Sequence, residues 1–169
     1  MQESEVVVID NILEGISKSP GVLYDKIADF RYHIEQLEET LAHKAGDEQS
    51  DGLKKVAPLK HYFEGGLYTR ELTMPKGSFI ISLIHKKEHP SFLLKGEVSY
   101  ITDEGEVKKL TAPATVFTKK GTQRVFYVHK DSVWTCVNKT DATNVKDAEL
   151  ELYANNYEEL INNKKLCQQ

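Results

Sequence analysis

Apolar and polar positions follow two different periods along this chain. Near the N-terminus Leu23, Ile27, Phe30, Ile34, Leu37 and Leu41 recur at intervals of 4, 3, 4, 3 and 4, the seam of an amphipathic helix. Ser19 suits its N-cap, Pro20 suits its first turn, and Gly46 after His43 and Lys44 suits its stop. Residues 46–60 contain Gly, Asp, Ser, Gln and Pro58 and read as an exposed linker. Such a narrow seam either packs on the rest of the chain or pairs with the same helix of a second copy. From Gly66 the texture changes to short alternating or wholly apolar runs, predicting strands over 67–74, 78–85, 91–95, 97–102, 106–111, 115–118, 122–129 and 132–138. Turn signals separate them, among them Pro75-Lys76-Gly77, His89-Pro90, Asp103-Glu104-Gly105 and Lys120-Gly121. With no helical pattern between them, so many short strands predict a mainly β fold, an antiparallel sandwich or barrel. From Asp147 the pattern turns helical, with Tyr153, Tyr157, Leu160 and Ile161 on one face. The expected organisation is an N-terminal helical arm and linker over 1–60, a barrel over 61–140 and a helical tail over 141–169.

Composition narrows the function classes. The chain has 169 residues, 40% hydrophobic and 28% charged, enough for one domain with a real core. No apolar stretch approaches the ~18–20 residues a membrane-spanning helix needs. The acidic start at Glu3 and Glu5 lacks the basic region of a secretory leader. Cys136 and Cys167 lie far apart without CxxC spacing, which argues against a disulfide framework or a zinc site and predicts a cytoplasmic setting. The net charge of −4 is uneven: residues 1–60 carry 12 acids and 7 bases, and residues 61–140 carry 8 acids and 12 bases. The basic middle either complements the acidic ends or attracts a small anion. So small an excess, with no nucleic-acid motif, argues against nucleic acid as a partner.

Chemistry concentrates between Gly77 and Gly96. On a strand, Phe79, Ile81, Leu83 and His85 share one face, and His89 follows a short turn. Two imidazoles from adjacent strand ends are a plausible start to a site for a divalent transition metal such as Zn, Fe, Ni or Mn. Glu71 on the preceding strand is either a third ligand or general acid/base, or an ion-paired surface carboxylate. Arg124 shares a face with Phe126 and Val128. If that face points inward, its guanidinium needs an internal carboxylate such as Glu71, or an anionic ligand. Tyr68 and Arg70 are expected on an outer sheet surface with Leu72 and Met74. Tyr68, Trp134 and Asn138 join Arg124 as candidate ligand-binding residues, Trp134 serving otherwise as core. Cys136 reads as a core thiol. The chain shows no Ser-His-Asp signature, Walker loop or dinucleotide-binding glycine fingerprint.

The spacing of Gly77, position 83, His85, position 89 and Gly96 resembles the first motif of the cupin superfamily, the RmlC-like double-stranded β-helix. Leu83 stands where that motif places its first His, and His89 stands where it places Glu. Of the second motif only Gly121 remains, with Arg124 at the position of its His. A narrower resemblance, carried by Gly66–Glu71, His85–His89, Ala112-Pro113, Gly121–Arg124 and Val133–Thr135, is to small uncharacterised cupin-like proteins of bacteria and bacteriophages. The resemblance implies a single cupin-like antiparallel β-barrel (a jelly roll), and two functions fit it. One is a module that binds a small anionic ligand or a protein, homo-oligomeric through the arm or barrel, with a virus-associated structural or host-modulating role. The other is a metal-dependent enzyme in which His85 and His89 hold the metal and Arg124 holds a small anionic substrate. Isomerase, lyase or dioxygenase chemistry would suit it, and a phage source would make the compartment a bacterial cytoplasm.

Overall fold

The computed structural model describes residues 43–102 and 105–166, with side-chain environments given through Ile161. The heptad seam of residues 23–41 lies outside them. The elements run α1 (Asp51–Val56), β1 (Leu59–Glu64), β2 (Leu67–Met74), β3 (Phe79–Ile81), β4 (Ile84–His85), β5 (His89–Ile101), β6 (Val107–Thr111), β7 (Ala114–Thr118), β8 (Val125–Lys139), α2 (Val145–Leu152), β9 (Tyr153–Ala154) and α3 (Tyr157–Leu166). The expected linker thus contains a short helix, capped where the Ser50 hydroxyl accepts the Leu53 N–H at 3.2 Å. It also leads into strand β1. Gly65 and Gly66, at φ 57° and 75°, supply the two left-handed residues of the tight turn joining β1 to β2.

Two expected pairs of strands are each one long strand. The 91–95 and 97–102 runs merge into β5, and 122–129 and 132–138 merge into β8. Both long strands bend midway. The β5–β8 register shifts three times between Leu93 and Val98, on either side of Gly96. Before the bend, β5 pairs with β7 and with the C-terminal half of β8, which continues to β2 and β1. After it, β5 pairs with β6 and with the N-terminal half of β8, which continues to β3. One sheet therefore folds over on itself. Its halves meet in a single core of Met74, Leu93, Val98, Tyr100, Phe126, Val128, Trp134 and Cys136. This is a mainly antiparallel β-barrel of jelly-roll form.

The tail is not one continuous helix. Helix α2, capped by the Asn144 side chain on the Asp147 N–H at 3.0 Å, ends at Leu152, and Tyr153–Ala154 turns extended to pair with β4. Tyr153 therefore enters the core with Ala45, Tyr68, Leu83, Ala148 and Leu152 instead of lining a helix face. The orientation expected for β2 is also reversed. Leu72 packs against the barrel core, Tyr68 and Met74 are fully buried, and Arg70 faces the buried Glu149. Glu71, on the opposite face by alternation, is ion-paired with Lys60 at 3.2 Å. No helix among the described residues is long and apolar enough to cross a membrane.

Candidate functional site

His85 ends β4 and His89 opens β5, so the turn between them delivers both rings to one place. Backbone pairing fixes His85, whose N–H donates to Thr122 O at 3.0 Å and whose carbonyl accepts the Gly121 N–H at 2.7 Å. The two ring centroids lie 4.6 Å apart, and the Tyr153 ring meets His85 edge-on at 5.2 Å. Both histidines are buried, with 6% and 5% of their surface exposed. His89 Nδ1 lies 3.1 Å from Lys87 O, so Nδ1 carries the proton and Nε2 holds the lone pair of the neutral ring. That Nε2 and His85 Nδ1 are buried without a hydrogen-bond partner. A buried polar atom left in that state costs about 1–3 kcal/mol, and here two such ring nitrogens belong to neighbouring rings.

Arg124 brings the charge. It is buried at the start of the strand pairing that carries β8, and its Nη1 donates to Thr118 Oγ1 at 3.0 Å. Thr118 is the cross-strand partner of His89, which places the guanidinium beside the histidine pair. The Tyr100 ring lies under it at 5.5 Å. Behind Thr118, Ser91 Oγ shares a hydrogen bond with Thr118 Oγ1 at 2.9 Å and reaches Cys136 Sγ at 3.6 Å. Burial pushes the Cys136 thiol up, so it stays a protonated core group.

Electrostatics keep both imidazoles neutral. Burial, then His89, Arg124 and Arg70, hold His85 well below the ordinary imidazole range. Burial also lowers His89, with Arg124 adding to it and the Lys87 carbonyl opposing it. The unfolded chain, whose histidines titrate near ~6.5, therefore binds more protons than the folded one below that pH. Stability is full above about pH 6.5 and falls as pH drops through the window down to the lowered native values. Urea unfolding from pH 7.5 to 5.5 is expected to show a slope approaching about 1.4 kcal/mol per pH unit for each such imidazole. His85→Gln should flatten it, and an unchanged slope would contradict the buried neutral state.

The other candidate residues fall into separate surroundings. Tyr68 OH lies 2.7 Å from His61 Nδ1, and burial pushes the phenol far up. Asn138 Nδ2 donates to Tyr153 OH at 3.5 Å, so it reaches the histidine pair only through that ring. Trp134 packs in the core with its ring against Phe126 at 5.0 Å. Sequence reasoning missed Tyr153, Thr118 and Ser91. Only the register of β4 with β9 and of β5 with β7 could have found them.

The metal that the cupin resemblance implies would be held by His85 and His89. Among the described residues no group of three or more His, Cys, Asp or Glu side chains converges as a ligand set. His85 and His89 offer two neutral nitrogens, while Glu71 is held to Lys60. The charged groups that bear on the histidine pair are the cations Arg124 and Arg70.

Several of the solved structures to which the chain is similar are described as cupins. The cupin_2 domain of an XRE family transcriptional regulator from Enterobacter cloacae matches 48% of this chain and 94% of its own at 13% identity, with a TM-score of 0.42. KdgF from Halomonas sp. matches 51% and 82% at 12% identity, with a TM-score of 0.44. An RmlC-like cupin from Shewanella frigidimarina matches 52% and 78% at 17% identity, with a TM-score of 0.43. No protein-family model and no curated protein matches the chain.

Proposed function

We propose that this chain is a cupin-like module that binds a small anion bearing a hydroxyl group, a hydroxycarboxylate being the simplest example. The observation that carries this reading is the pair of buried, unpartnered nitrogens on His85 and His89 beside the buried guanidinium of Arg124. Arg124 supplies the charge that a carboxylate recognises. His89 Nε2, fixed as an acceptor by its Nδ1 contact to Lys87, accepts a hydrogen bond from the ligand's hydroxyl. A ligand that satisfies both imidazoles recovers the free energy their burial leaves unspent. The site so built has binding groups and no activated nucleophile.

Titration of the full chain with acetate, glycolate and lactate, followed by the side-chain NMR signals of the histidines, tests this. Glycolate and lactate are expected to bind about tenfold more tightly than acetate, about 1.4 kcal/mol for one added hydrogen bond to the site. Arg124→Gln should weaken all three, and His89→Ala should erase the preference for the hydroxyl. Equal binding of the three acids by wild type and both variants would sink the reading. So would a stoichiometric metal in protein purified without a His-tag that His85→Ala with His89→Ala removes, because a real metal site depends on its ligands.

A further inference from the structure

Between β7 and β8 the chain makes one irregular step against the end of β4. Gly121, at φ 87°, donates its N–H to the His85 carbonyl at 2.7 Å, and the Thr122 carbonyl accepts the His85 N–H at 3.0 Å. Two residues of one strand thus oppose a single residue of the other, a β-bulge with glycine in its left-handed first position. The bulge sets Thr122 across from His85, with the two side chains on one face of the pairing. Alternation leads to the same face from the other direction. The pairing runs on to Arg124, whose carbonyl accepts the Ser82 N–H at 2.9 Å, and Thr122 lies two residues before it.

Thr122 is 4% exposed, and its Oγ1 is buried without a hydrogen-bond partner. The polar groups around it are committed to one another. Thr118 Oγ1 is shared between Ser91 at 2.9 Å and Arg124 at 3.0 Å. Ser82 Oγ accepts the Arg124 N–H and donates to Leu83 O, both at 2.9 Å, and the Gln123 amide donates to Ser82 O at 2.9 Å. Thr122 Oγ1, His85 Nδ1 and His89 Nε2 remain outside this network. A single ligand hydroxyl on His89 Nε2 leaves the first two, which face each other across the bulge, still without a bond.

A threonine hydroxyl both donates and accepts, whereas a neutral imidazole nitrogen does one or the other according to its tautomer. A ligand hydroxyl serves both atoms in either case. It donates to the ring and accepts from Thr122, or accepts from the ring and donates to Thr122. A methyl group serves neither. The His85 and His89 rings lie 4.6 Å apart centre to centre, close enough for hydroxyls on neighbouring carbons to meet one ring each. We infer, on the hydroxy-acid reading of the site, that its ligand is a vicinal dihydroxy acid: the carboxylate on Arg124, the first hydroxyl on His89, and the second between Thr122 and His85. Thr122 is then the residue that tells such an acid from one ending in a methyl group.

Glycerate and lactate differ by that one hydroxyl, and titration of the full chain with matched enantiomers of each, followed by the histidine NMR signals, tests it. Glycerate is expected to bind roughly tenfold more tightly than lactate, the effect of one further hydrogen bond to buried groups. Thr122→Val, which keeps the branched shape and loses the hydroxyl, should abolish that preference, and Thr122→Ser should restore most of it. A valine variant that weakened glycolate, lactate and glycerate alike would overturn the assignment, because Thr122 would then only support the bulge. Glycerate no tighter than lactate, with glycolate still tighter than acetate, would overturn the second hydroxyl alone, in favour of a water held by Thr122 and His85. Glycolate no tighter than acetate would remove the hydroxy-acid reading and the dihydroxy acid with it.

Discussion

Replacing Glu149 by alanine is expected to remove about 3–5 kcal/mol of folding stability, the cost of leaving a buried cation without its partner. Glu149 is fully buried on α2. Its carboxylate accepts the Gly46 N–H at 3.0 Å, lies 3.1 Å from His43 Nε2 and 3.2 Å from Arg70 Nε. The Arg70 pair is close in distance but off-line as a hydrogen bond, since Nε has no partner with good geometry. Its attraction is therefore mainly that of charge, helped by the Tyr153 ring 5.0 Å beneath the guanidinium. Burial alone would raise the Glu149 carboxyl; the bonds from His43 and Gly46 and the charge of Arg70 hold it below the ordinary range. One carboxylate thus fastens α2, the segment from His43 to Gly46, and strand β2 to one another. Equilibrium urea unfolding of Glu149→Ala measures the loss. Arg70→Met with Glu149→Leu should recover much of it, because removing both charges leaves neither stranded. A loss below about 1 kcal/mol for Glu149→Ala would show that the cluster is no structural tie.

The same cluster reaches the candidate site. Tyr153 lies between the Arg70 guanidinium and the edge of His85, and Arg70 is among the groups that lower His85. Fastening the tail therefore helps to set the protonation state of the imidazole.

The sequence made the β architecture legible because alternation and turns are local. Strand β2 matches its expected limits, and the β6 and β7 limits move by one residue. His85 and His89 were legible as a pair because a short turn brings them together whatever surrounds it. Strand β1 was hidden by linker-like composition before it, although Gly65-Gly66 is itself a hairpin signal. The facing of β2 was legible in part: Tyr68, Leu72 and Met74 form an apolar face against Thr69, Glu71 and Thr73, but Arg70 sits on the apolar face, and only a distant residue shows why a charge is tolerated there. Glu149 is that residue, 79 positions along the chain. Tyr153 was lost for a related reason: a helical pattern runs up to it, and only pairing with β4 makes it a strand residue.

Gly96→Ala is expected to be the most damaging single methyl group that can be added to the barrel. Gly96 sits at φ 90°, where an L side chain is strained, and it occupies the point where β5 bends from one half of the sheet to the other. A Cβ placed there would lie 2.1 Å from Ser132 Oγ, 2.5 Å from Asp131 O and 2.7 Å from Ser132 Cα. The hydroxyl could rotate away, at the loss of its bonds to the Glu97 N–H and to Lys130 O. The two backbone atoms cannot move without opening the bend of β8 that faces the bend of β5. Strain and overpacking each contribute roughly 1–3 kcal/mol, so a loss of about 2–6 kcal/mol is expected. Gly77, also at a positive φ (87°) but with nothing within 4 Å of its added Cβ, is the control, and Gly77→Ala should carry the conformational strain alone. If thermal unfolding placed the two variants at the same midpoint, the close contact of the strand bends would not be what holds the sheet folded over. A clear excess loss for Gly96→Ala would make this glycine the hinge of the fold: it lets β5 and β8 cross from one half-sheet to the other, carrying His89 on one arm and Arg124 at the foot of the other toward the same end of the barrel.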